Sequence, residues 1–232
     1  MIEPTSEDIV AAKAECRKKF GHERIVQIVI GDPIGVTVLM AACNLTEASA
    51  YSDARHISEF NARSALISER RLFPSREVFD AYRNEKRLPA IDEHTEAHFR
   101  FHMGFNQRRV FAARFSLAGR PPSMPEEKAQ ELLAKEPADQ LWTVYNRATD
   151  LELVMRSPTS DVWASARSSL AKAAASHTGT LTTVYDYAKN YVRWSPRPLD
   201  EYLDEKPGRA LDIADPFFDM GGAAAEASSS FL

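Results

Sequence analysis

A chain of 232 residues is long enough for one large domain or two small ones, and modules of roughly 100 residues sit near the size at which a domain buries its own core. Its 29 basic and 33 acidic residues leave a formal charge of −4, which excludes a global attraction for polyanions and confines any nucleic-acid role to a local patch. Cys16 and Cys43 are the only cysteines, too few for a disulfide framework or a four-ligand zinc site, and no apolar run approaches the length of a membrane span.

The opening, Met1 to Asp8, is acidic and lacks the basic-then-apolar order of a secretory signal, so a soluble, cytoplasmic protein is expected. Ser6-Glu7-Asp8 is predicted to cap a first helix ending at Gly21. Ile25 to Ile30 and Val36 to Met40 are short aliphatic runs joined by Gly31-Asp32-Pro33-Ile34-Gly35, which reads as a hairpin. A long helix should follow from Thr46 to Leu72, with Tyr51, Ile57, Phe60, Leu66 and Ile67 inward, ended by Pro74. A short helix then carries Phe79 and Tyr82 on one face, as Leu199 and Tyr202 are placed further on, and the plain reading of these residues is core packing.

Leu117-Ala118-Gly119-Arg120-Pro121-Pro122-Ser123-Met124-Pro125 is the clearest linker, and Glu126 to Lys135 should be helical. A second hairpin is expected from Leu141 to Tyr145 and Leu151 to Met155. A helix from Thr159 should carry Trp163 and Leu170 inward, break at Gly179 and resume from Leu181 to Arg193. The final stretch from Gly222 to Leu232, ending in Phe231-Leu232, is small and polar enough for a mobile tail.

The chain repeats itself. Phe79-Asp80-Ala81-Tyr82-Arg83-Asn84-Glu85-Lys86 returns as Leu199-Asp200-Glu201-Tyr202-Leu203-Asp204-Glu205-Lys206, with four of eight positions identical at an offset of 120. Phe101-His102-Met103-Gly104 is answered by Phe218-Asp219-Met220-Gly221, and Val38-Leu39-Met40 by Leu153-Val154-Met155, at offsets of 117 and 115. Such drift suggests a duplication with small insertions. The expected fold is therefore α+β and mainly α-helical, built from two tandem homologous modules, each a short β-hairpin followed by a long helix and two shorter ones. Residues 1–116 form the first module, 117–125 the linker, 126–221 the second module and 222–232 the tail.

No phosphate-binding loop, dinucleotide fingerprint or nucleophile elbow is present. His94, His98 and His102 lie four residues apart near Glu93 and Glu96. On a helix two adjacent members of that stripe can share a metal but three rarely do, because steps of four drift by about 40°. The second module has no histidine in the matching segment, Asp212 to Asp219. No catalytic residue, metal site or cofactor is assigned.

The order of elements in the first module, with Leu66 to Phe73-Pro74, then Phe79 and Leu88-Pro89 before a closing helix, resembles the tail assembly chaperones of tailed bacteriophages. Trp194-Ser195-Pro196 is a loosened second copy of the aromatic-proline pair, and Lys206-Pro207-Gly208 supplies the turn. The resemblance covers residues 17 to 105 and, more weakly, 135 to 221. It implies a non-enzymatic assembly factor in the host cytoplasm that binds tail tube or tape-measure protein before polymerisation. A related reading is a tail or baseplate component retained in the virion. Phe73, Phe79, Tyr82, Trp194, Leu199 and Tyr202 are the candidate binding residues. The partners implied are other phage tail proteins, with no nucleic acid and no membrane; a homo-oligomer stays open. Two alternatives of other kinds are a metal-dependent enzyme on His94, His98 and His102, and a dimeric adaptor using Trp142, Trp163 and Trp194.

Overall fold

The computed structural model describes residues 2–32, 34–86, 90–105, 110–146 and 150–229, with the backbone alone for residues 86 and 222–229. Leu88-Pro89 and Phe231-Leu232 lie outside the described residues. The chain is α+β, with ten α-helices and two antiparallel sheets among the described residues. It divides into two units, one of Met1–Cys43 and Ala54–Met103, the other of Asn44–Asp53 and Gly104–Leu232.

The first unit opens with α1 (Ser6–Phe20). Its cap is Thr5, one residue ahead of the expected serine, because Asp8 completes a capping box: Asp8 N–H donates to Thr5 Oγ1 at 3.2 Å and Thr5 N–H to Asp8 Oδ2 at 2.8 Å. Gly21 closes the helix at φ 76°, a conformation that favours glycine. β1 (Ile25–Ile30) and β2 (Val36–Ala41) form the predicted hairpin. β2 is buried along its whole length whereas β1 alternates, so β2 is covered on both faces. β3 (Arg71–Phe73) pairs with the far side of β2, with a register shift between Leu39 and Met40.

Between β2 and β3 the expected single helix is two, α2 (Leu45–Ile57) and α3 (Glu59–Arg70). Ser58 takes an extended conformation at φ −154° and its hydroxyl accepts from Asn61 N–H at 3.4 Å, capping α3. The break changes the helical phase. Ile57 and Phe60, expected inward, are 68% and 73% exposed. α4 (Arg76–Lys86) and α5 (Ile91–His102) complete the unit. α5 is tied to α3 through Glu96, a buried carboxylate that accepts from Arg55 Nε at 2.9 Å and Arg63 Nε at 2.7 Å. Burial of a charge is tolerable there because it is doubly paired.

The second unit runs β4 (Val110–Arg114), α6 (Glu126–Lys135), β5 (Leu141–Asn146), β6 (Leu151–Arg156), α7 (Ser160–Ser176), α8 (Thr180–Ala188), β7 (Val192–Trp194), α9 (Leu199–Glu205) and α10 (Arg209–Ser229). Its sheet is ordered β4-β5-β6-β7. From α6 onward the elements follow the order of the first unit from α1, and β7 joins β6 with a register shift between Val154 and Met155, as β3 joins β2. β4 has no sequence expectation behind it. The proline-rich stretch 117–125, expected as a linker, is held within this unit. Thr143 Oγ1 donates to Gly119 O at 2.9 Å, Arg120 Nε to Met124 O at 3.1 Å, and Met124 is 2% exposed.

α8 starts on Gly179, which has no side chain with which to satisfy the first amides. The acceptors come from the opening turns of α2, in the Asn44–Asp53 segment of the same unit. Ser49 Oγ accepts from Leu181 N–H at 3.1 Å and Thr182 N–H at 3.4 Å, and Asp53 Oδ2 from Thr180 N–H at 3.4 Å. Asp53 also sets a negative charge at the positive end of the helix dipole. The expected tail instead continues α10 to Ser229, in keeping with the high helix propensity of Ala223-Ala224-Ala225-Glu226-Ala227.

The echoed Met-Gly pair serves two different needs. Gly104 follows α5 at φ 86°, whereas Gly221 lies inside α10 where Trp163 closes over its backbone and donates Nε1–H to Phe218 O at 3.0 Å. A Cβ at Gly221 would stand 2.1 Å from Trp163 Cδ1. Gly221→Ala should therefore cost about 1–3 kcal/mol by overpacking despite the better helix propensity of alanine, and Ser49→Ala about 1 kcal/mol by uncapping α8. Urea denaturation of the two variants measures both; a stabilised Gly221→Ala would contradict the packing.

Candidate functional site

Each unit holds a groove between a helix, α1 or α6, and its short three-residue edge strand, β3 or β7. In the first unit β3 delivers Phe73 to the groove floor and the chain continues through a cis Phe73–Pro74 peptide into α4. α1 supplies one wall with Asp8, Glu15 and Lys19, α4 supplies Arg76 and Val78 opposite, and the cavity measures about 690 Å³. Val78 is 47% exposed. Arg71 lines the same groove and lays its guanidinium 4.6 Å from the Phe79 ring centroid. Burial pulls its pKa below the ordinary arginine value, against the opposing pull of Asp80.

In the second unit β7 brings Trp194 to a groove of about 270 Å³, with Lys128, Leu132 and Lys135 of α6 facing it. The indole is half-buried. It packs on a cluster of Phe115, Met124, Ala129, Leu141 and Val154, which fixes the ring from behind. Glu136 accepts from Arg193 Nε at 2.8 Å and pairs with Arg156 at 3.1 Å, so the charge beside the indole is held by two cations. An aromatic ring packed from below and partly exposed above, rimmed by charged side chains, is an arrangement that suits an anchor for another protein's apolar side chain.

The six sequence-derived candidates separate by burial. Phe73 and Trp194 occupy the two grooves. Phe79 and Tyr202 are 1% and 2% exposed and serve the cores. Tyr82 is half-buried, and its hydroxyl donates to Ile34 O and to Gly35 O, pinning α4 to the turn of the first hairpin. Leu199 is half-buried at the start of α9. Of the tryptophans, Trp142 donates Nε1–H to Ser157 Oγ at 2.8 Å under Arg114, and Trp163 is spent on α10. His94, His98 and His102 all lie exposed on α5. Among the described residues no group of three or more His, Cys, Asp or Glu comes together in a way that could hold a metal ion.

Sequence reasoning missed the exposed apolar residues Val10, Val29, Ile57, Phe60 and Phe101. It also missed a thiol–imidazole pair, Cys16 Sγ at 3.4 Å from His22 Nδ1, because α1 ends between the two residues and turns the chain back. Comparison with known protein families, with curated proteins and with solved structures returns no match to this chain. The geometry of the two grooves is therefore the ground for a functional reading.

Beside Tyr202 the charges form a clamp. Arg197 lies 4.0 Å over the Tyr202 ring and donates from Nη1 and Nη2 to the Glu205 carboxylate at 2.7 and 2.8 Å, while Arg209 Nη1 reaches the same carboxylate at 2.9 Å. Hydrogen bonding from Arg197, the largest cause, and then from Arg209 pulls the Glu205 pKa down to about 2 from the usual 4.5. A depressed carboxylate stabilises the fold above its unfolded pKa and loses that contribution as pH falls. Because Glu205 is half exposed, Glu205→Gln should cost less than about 1 kcal/mol at neutral pH. The difference from wild type should shrink below pH 4.5 and vanish near pH 2. Urea titrations at the two extremes test this, and a difference that persists in acid would overturn the assignment.

Proposed function

We propose that this chain is a non-enzymatic assembly factor of a phage tail, which holds tail tube or tape-measure protein through the two grooves before polymerisation. The observation that carries the reading is their recurrence: in both units a short strand following a helical pair presents an aromatic side chain, Phe73 or Trp194, beside α1 or α6. The sequence resemblance to tail assembly chaperones rests on the same aromatic-proline segments. The shared order of elements and the matching register shifts support a tandem duplication of one module. A duplicated groove suits a partner that must be gripped at two places, since linked sites raise each other's effective concentration.

The mixed charge around both grooves suits a reversible holder. Lys, Glu and Arg side chains at the rim contribute little net affinity and favour fast exchange, while the aromatic floors supply apolar contact. Exposed apolar residues elsewhere on the first unit, Ile57 and Phe60 above all, are further places where a partner's hydrophobic surface could be covered.

The experiment is copurification from infected lysate, with finished particles analysed by mass spectrometry beside it. The expected result is association with an unassembled tube or tape-measure protein. Trp194→Ala should weaken it by about 2 kcal/mol, close to thirtyfold, with Phe73→Ala similar, while circular dichroism confirms that the variants stay folded. Recovery in particles at a fixed ratio to the tube would instead make the chain a retained tail or baseplate component. Association untouched by both variants would remove the grooves from the reading.

A further inference from the structure

The two sheets differ at one edge. In the second unit β5 is paired on both sides, by β6 and by β4, whereas in the first unit β1 is paired, among the described residues, with β2 alone. The hairpins are in the same register: Ala42 N–H donates to Arg24 O at 3.0 Å, and Ser157 N–H to Gln140 O at 2.8 Å, one residue before each paired segment. Alternation along an antiparallel ladder then points the amides and carbonyls of Ile25, Gln27 and Val29 away from β2. Their counterparts on β5 are Leu141, Thr143 and Tyr145. There the outward groups are taken, Leu141 O accepting from Phe115 N–H at 3.0 Å as β4 runs alongside.

β1 carries none of the devices that blunt an edge. Ile25-Val26-Gln27-Ile28-Val29-Ile30 has no charge, proline or bulge, and Val29 is 56% exposed. A long apolar edge of this kind is a template for another strand. We propose that the outer edge of β1 receives an extended segment of a partner protein as an added antiparallel strand. The occupant is a single strand and not a second copy of the chain. α5 packs on β1, and a second copy pairing its own β1 would bring its own α5 to the same ground. Paired strands lie about 4.8 Å apart, while packed helices need 8–10 Å.

β4 indicates the chemistry of the guest. It runs Val110-Phe111-Ala112-Ala113-Arg114, with Phe111 opposite Tyr145 and stacked on it at 5.8 Å, Ala112 opposite Val144, and α10 packed against the strand. Counted from the register shifts, Val29 and Ile28 stand where Tyr145 and Val144 do. The guest is thus a segment of at least five largely uncharged residues, with a bulky apolar side chain opposite Val29 and a small one opposite Ile28, on the side that α5 closes. Its main-chain bonds supply affinity and this alternation supplies selectivity. The inference concerns a different surface from the two grooves and does not depend on the partner being a tail protein.

The test uses the full chain and, as probe, a synthetic peptide with the sequence of residues 110–116, followed by amide hydrogen exchange in NMR spectra. With saturating peptide, exchange at Ile25, Gln27 and Val29 should slow by about tenfold or more, while Ile28, already bonded to β2, stays unchanged. Gln27→Pro, which removes an outward amide, should abolish the protection. If that variant unfolds, Val29→Lys replaces it and should weaken peptide binding by at least about tenfold. Unchanged exchange at the three amides, or protection on β5 alone, would overturn the proposal. So would protection that rises with protein concentration in the absence of peptide, which would place a second copy on the edge.

Discussion

Each unit depends on one non-local pairing, the addition of a three-residue strand to the far side of a hairpin. A hairpin alone is marginal in water. β3 reaches β2, and β7 reaches β6, only after a pair of helices has carried the chain away and back. That closure makes β2 and β6 central strands. It also places Phe73 and Trp194 beside α1 and α6 and so creates the grooves. The loop entropy of closing some thirty residues is set against burial of a central strand along its whole length, Val36 to Ala41 in the first unit.

The same closure leaves the other edge of each sheet to be dealt with separately. In the second unit β4 pairs with the outer side of β5 and covers it. The first unit has no such strand on β1 among the described residues. Two otherwise parallel layouts thus differ at this edge, covered by β4 on β5 and bare on β1 among the described residues.

A third dependence joins segments of the second unit that lie far apart in the chain. Ser49 and Asp53 come from the helix after the first hairpin, yet they satisfy the opening amides of α8. The division into units falls after Cys43, within α2 after Asp53, and after Met103, ahead of the proline-rich stretch. That stretch is bound to β5 through Gly119 and buried at Met124, which places it among the structural elements of the second unit.

The sequence by itself determined the local elements. Gly21 stops α1, both hairpins lie where aliphatic runs flank turn residues, and Glu126–Lys135 is helical from end to end as expected. These follow from propensities and periodicities that act within a few residues. The aromatic-proline echo was also legible, and two of its residues, Phe73 and Trp194, mark the candidate site. Phe79 and Tyr202, equally prominent in the echo, are core, as the plain packing reading of a hydrophobic residue and a tyrosine three positions apart on one helix face expects. Tertiary structure alone decided the break at Ser58 that exposes Ile57 and Phe60, the pairing of β4 with β5, the continuation of α10 and the capping of α8 from 127 to 133 residues away. Each turns on a partner distant in the chain, and no local pattern encodes the identity of such a partner.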